Sequence, residues 1–151
     1  MVAGCRGGTT TPAQPYGRDV AALPEKVNGL YREARDSIGA SAPHAAVMVC
    51  RKLLMHVAVE NGAREGTTFA AYVQYLADNG YVSPGSKDWV DEIREIGNDA
   101  NHEIFDITLD EAKSAVDFVA MTLQIVYEFP ERGRQSVAAR KAKDQGSGPQ
   151  V

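Results

Sequence analysis

Arg94, Asn98 and His102 recur at intervals of four within the stretch Asp88–Ile104, DWVDEIREIGNDANHEI. On a helix, at about 100° per residue, such spacing sets all three on one face. A histidine titrating near neutrality can take or give a proton, and an arginine can stabilise charge building on a phosphate. That is a set of parts for phosphoryl chemistry. Along a straight helix, however, Arg94 and His102 lie about 12 Å apart, so one copy does not bring both to the same atom. Two antiparallel copies across a two-fold axis would, so the catalytic reading predicts a homodimer through this helix. The plainer reading of the same residues is a solvated helix face with Asp91 and Arg94 as an i, i+3 ion pair and Asn98 bonding locally.

The helix that carries this face is itself legible. Trp89, Ile93, Ile96, Ala100 and Ile104 fall within roughly 80° of one another, and the stripe does not drift across Gly97. The helix therefore runs through the glycine, with one side toward a core and the other toward Arg94, Asn98 and His102.

Four further helices are predicted around it. Helix one runs from Pro24 to Ile38 with Gly39 as its left-handed stop, burying Leu23, Val27, Leu30, Tyr31, Ala34 and Ile38 and leaving Arg35 mostly outside. Helix two opens with Ser41 as a cap before Pro43 and closes at Asn61-Gly62; its run AAVMVC marks it as the central helix. Within it Arg51 is expected to snorkel to the surface or to meet an acid from helix one or four. Helix three spans Thr68–Asn79 with Gly80 as its stop, and Thr108 with Glu111 is a capping box that opens helix five, ending at Phe129-Pro130. The fold class is all-α, a five-helix bundle with no sheet.

Length and composition agree with one domain. The chain has 151 residues, 44% of them apolar, enough for a core of ordinary size. Residues 1–18 carry no periodic pattern and are expected to be a disordered leader. Residues 19–130 form the helical domain, and 131–151 are expected to be a basic disordered tail with at most a transient helix over 137–143. Net charge is −4, with +2 on the leader and +3 on the tail, which leaves −9 on residues 19–130. An acidic body does not hold nucleic acid by broad electrostatics, so any such contact is local or uses the tail.

No stretch approaches the ~18 consecutive apolar residues of a membrane span, so no membrane partner is expected. Val2-Ala3-Gly4-Cys5 resembles a lipoprotein processing box, but only Met1 precedes it and no secretory signal is legible. Cys5 and Cys50 are too few for a disulfide framework or a cysteine zinc site, and a reduced, cytoplasmic setting is expected. The sequence has no Gly-rich phosphate loop, no HExxH and no GxSxG, and neither a metal nor a cofactor is expected.

The segment Ile93-Arg94-Glu95-Ile96-Gly97-Asn98-Asp99-Ala100-Asn101-His102 resembles the signature of a bacterial and phage family known as domain of unknown function 4145. So do the Leu23-Pro24 start, Tyr31-Arg32-Glu33-Ala34, Arg51, and the ending Tyr127-Glu128-Phe129-Pro130. That family is similar to the HEPN superfamily, helical domains of toxin–antitoxin, abortive-infection and CRISPR-linked systems. Active HEPN members are dimeric, metal-independent ribonucleases with an Arg, often followed by Asn, four to six residues before a His, and the motif helps the ribose 2′-hydroxyl attack the neighbouring phosphate.

The resemblance implies a HEPN-like bundle in a defence or conflict system, linked to RNA or another nucleic acid or to an operon-encoded protein partner. As a ribonuclease it would use His102 as base or acid, Arg94 to stabilise the phosphorane and Asn98 to orient the phosphate. Asn98 and His102 match the motif, but Gly97 stands where its arginine is expected and Arg94 lies one turn earlier; Met55 replaces an expected glutamate. The alternative is a catalytically silent dimerisation or protein-interaction module, and a glycine at 97 suits close packing.

Overall fold

The computed structural model describes residues 14–102 and 106–148, with the side chains of 99–102 excepted. Among the described residues there is no strand. The helices are α1 (Glu25–Gly39), α2 (Pro43–Glu60), α3 (Phe69–Asp78), α4 (Lys87–His102), α5 (Leu109–Leu123) and α6 (Phe129–Gly146). A π turn, Gln124–Glu128, joins α5 to α6 without a break, so the described residues form five helical rods. None of the helices is long and apolar enough to cross a membrane.

As its apolar run implies, α2 is central: it packs against α1, α3, α4 and α5. Its buried face is Ala46, Val47, Cys50, Leu53, Leu54, Val57 and Ala58, whereas Met48 is left half exposed. Burial pushes the Cys50 thiol up to about 12, so it stays protonated and serves as a packing group. Trp89 on α4 meets Phe118 on α5 edge to face, with centroids 5.2 Å apart, and donates its indole N–H to Ser114 Oγ.

Local signals set most of the ends. Thr68 accepts from the Ala71 N–H at the start of α3, and the Thr108–Glu111 capping box is formed in both directions. Gly62 and Gly80 take positive φ and close α2 and α3 with paired reverse bonds, Ala63 N–H to Ala58 and Tyr81 N–H to Leu76. The end of α1 differs from expectation. Gly39 remains helical, and Ser41, expected to cap α2, is instead the left-handed residue, at φ 57°. The Ala42 and Ser41 amides bond back to Ser37 and Ile38, the same closure carried out on an L-residue.

Helix five also fails to stop at Phe129-Pro130. Proline lacks an N–H and crowds the carbonyl four residues earlier. The π turn, with its wider i to i+5 spacing, takes that mismatch, and the chain continues as helix through Gly146. The basic tail is thus helical over most of its length, helped by Gln135 and the Ala-, Arg- and Lys-rich run of residues 138–143.

The expected leader ends earlier than residue 18. Tyr16 to Ala22 form a strap across α1, α5 and the π turn. Arg35, expected outside, is buried beneath it, donating to the Tyr16 and Gly17 carbonyls and pairing with Asp19 at 2.6 Å. Tyr31 Oη donates to the Arg18 carbonyl, Tyr16 Oη to Asp117, and the Ala21 N–H to Glu128 Oε2 at 2.7 Å. That amide, with Gln124 and Arg132, holds the Glu128 carboxyl below its usual range.

Two measurements test these points. Because left-handed φ costs an L-residue about 1 kcal/mol or more, Ser41→Gly is expected to stabilise the protein by about 1 kcal/mol in urea unfolding. Glu128, with its folded value depressed, supplies stability that is fully present above the ordinary carboxyl value near ~4.3 and is lost as pH falls through the lower folded value. The gap in urea midpoint between wild type and Glu128→Gln should hold steady from about pH 5 to 7 and narrow below about pH 4.

Candidate functional site

The centre of α4 is built around an absent side chain. A Cβ placed on Gly97 would stand 1.9 Å from Cε1 and 2.3 Å from Cδ1 of Phe69, the buried first residue of α3. Across the bundle, Arg51 of α2 donates from Nη1 to the Gly97 carbonyl, and its guanidinium carbon lies 5.0 Å from the centroid of the same Phe69 ring. Arg51 is half-buried, and among the described residues it is met by a carbonyl and a ring in place of the expected acid. A helical carbonyl retains a second lone pair, and the ring face attracts the cation, so both partners are neutral groups. Glycine lets the α4 backbone come close to the ring, as expected of a packing position, but the approach is made by a side chain of the same chain.

Arg94 lies on the outer side of α4, one turn before Gly97. Its side chain is 38% exposed; Nη1 is 3.6 Å from Asp91 and 3.5 Å from Gln74 Oε1, long contacts both, while Nε is buried without a partner. Lys87 gives Asp91 its shorter bond, at 3.0 Å. With Gln74, Val82, Lys87 and Val90, Arg94 lines a cleft of about 560 Å³ between the end of α3, the loop after it and the start of α4. Its charges balance, Lys87 and Arg94 against Asp78 and Asp91.

Asn98 is exposed on the next turn. His102 is the last residue of α4, and its side chain lies outside the described residues. The three expected site residues therefore follow one another along one helix, with about 12 Å between the first and the last. Arg94 is drawn toward α3, to Gln74 and the cleft. Among the described residues no three His, Cys, Asp or Glu side chains group as a metal site.

The family described as Domain of unknown function (DUF4145) matches residues 32–143, about three quarters of the chain. The chain belongs to this family. The matched span holds Arg51, Phe69 and Gly97 and reaches nearly to the end of α6, so the projecting helix is part of the DUF4145 domain, while the strap of residues 16–22 precedes the match. No curated protein and no solved structure matches the chain.

Nothing within helix α3 itself distinguishes Phe69 from its other buried residues, Tyr72, Val73 and Leu76. The available signals were a glycine inside an unbroken helical stripe and an arginine in an apolar helix, each of which asks for a specific neighbour.

Gly97→Ala is expected to destabilise by about 2 kcal/mol or more despite the higher helix propensity of alanine, because overpacking outweighs it. Adding Phe69→Leu should recover a large part of the loss, and a double-mutant cycle on urea midpoints measures that coupling. Additive losses would show that the ring does not set the requirement for glycine.

Proposed function

We propose that this chain is a HEPN-like helical module of a bacterial or phage conflict system that acts by binding protein and does not cleave RNA. One observation carries the reading: the place where the HEPN motif has its arginine is Gly97, which lies against the Phe69 ring with its carbonyl taken by Arg51. No side chain fits there while Phe69 and Arg51 keep their positions. Arg94, the nearest substitute, turns toward Asp91 and Gln74 in the α3–α4 cleft.

A ribonuclease reading retains one observation in its favour, that Arg94 and Asn98 both reach the outer surface of α4 and Arg94 keeps an unpartnered Nε. In that reading two copies meet through α4, with Arg94 of one stabilising the phosphorane near His102 of the other.

Purified protein incubated with mixed-sequence single-stranded RNA in EDTA, beside Arg94→Ala and His102→Ala, decides between them. We expect no cleavage above buffer by any of the three. Cleavage by the wild type that both substitutions abolish would overturn the silent-module reading and restore the metal-independent ribonuclease.

A further inference from the structure

Among the described helices α6 packs against none but the π turn that it continues. None of its 18 residues is buried, and Phe129 and Val137 on it are about half exposed. A helix of this length with Gly133 inside it and no apolar face is marginal in water on its own. Its ion pairs, Arg132 with Glu128 and Arg134 with Glu131, lie at or near its first turn, leaving Arg140, Lys141 and Lys143 of its far half without an acidic partner among the described residues. Yet the family match runs through this helix to Lys143.

Its charge has a counterpart on α4. Arg132, Arg134, Arg140, Lys141 and Lys143 against Glu131 and Asp144 give α6 a net +3; Asp88, Asp91, Glu92, Glu95 and Asp99 against Lys87 and Arg94 give α4 a net −3. The spacings correspond as well. Asp88, Glu92 and Glu95 are exposed and fall at i, i+4 and i+7, within about 60° of one another. On α6, Arg132, Arg140 and Lys143 fall at i, i+8 and i+11 within about 80°. The two helices do not touch within one chain, and the rod from α5 carries α6 away from the bundle through an unbroken turn.

We propose that α6 is an exchange arm, which in a homodimer lies along the acidic outer face of α4 of a second copy. Reciprocal exchange closes the pair about a two-fold axis. An α4-to-α4 contact would instead set two faces of net −3 against each other. A nucleic acid would be drawn to the arm but repelled by the −9 of residues 19–130, so the acidic face of a second copy is the better-matched occupant. The inference rests on the interaction-module reading and names its partner and surface.

The test is light scattering on the full-length chain at about 0.05 M salt, where screening is weak, and again at about 0.5 M. The arm variant is Arg140→Glu/Lys141→Glu/Lys143→Glu, the face variant is Asp88→Lys/Glu95→Lys, and the third protein combines them; unchanged melting of the bundle shows that each is folded. We expect a wild-type dimer that dissociates at the higher salt, at least ten-fold weaker association in each single-surface variant, and recovery in the combined one. A monomeric wild type, or reversals that weaken the dimer without mutual rescue, would overturn the arm. A dimer unaffected by any reversal would also overturn it while leaving the interaction-module reading standing, whereas RNA cleavage would remove that reading whatever the arm does. Retention on single-stranded RNA by a monomeric wild type, lost in the arm variant, would assign α6 to nucleic acid instead.

Discussion

The Phe69 ring packs against both the α4 backbone at Gly97 and the guanidinium of Arg51, and the joining of three helices depends on that contact. A cation on the central helix is costly unless its donors and its charge are met. The Gly97 carbonyl meets a donor and the ring face meets the charge. In return the ring can sit there only because position 97 has no Cβ. Glycine inside a helix costs about 1 kcal/mol relative to alanine, so the position is retained against local propensity by packing. α2, α3 and α4 are thereby keyed to one another at a single point, and the register of α4, hence the direction in which Arg94 and Asn98 face, follows from it.

A second set of ties holds the strap to α1, α5 and the π turn and is almost entirely polar. Arg35 gathers two carbonyls and Asp19, Tyr31 takes the Arg18 carbonyl, and Glu128 takes the Ala21 amide. Only Val20 of the strap is buried as an apolar residue. Segment 16–22 is thus held by hydrogen bonds to the polar ends of Tyr31 and Glu128, buried residues whose own elements are set by the core. Glu128 also falls in the π turn, so the strap is tied to the one place where the last rod departs from α-helical spacing. Pro130 needs the wide turn, and the wide turn sets where Glu128 points.

What was legible in the sequence was local. The capping box at Thr108 and the glycines at 62 and 80 each act within five residues, and each is legible in place. The apolar stripes gave the five rods and the central position of α2. Four features escape such a reading. Ser41 adopts a left-handed conformation that its own chemistry disfavours, between a helix end and a proline. Tyr16 and Arg35 have polar side chains whose partners cannot be inferred from periodicity. Gly97 was noted as a glycine inside a helix, but the ring that requires it lies 28 residues earlier. Pro130 read as a stop because the rule assumes α-helical spacing, which the π turn suspends.

The same contact limits what position 97 can hold. An arginine there would require the Phe69 ring to leave, since even one carbon does not fit. Removing the ring would strip Arg51 of its cation–π partner and set two guanidinium groups around one carbonyl. Position 69, position 97 and the satisfaction of Arg51 are therefore coupled, which makes the glycine part of the architecture of the bundle.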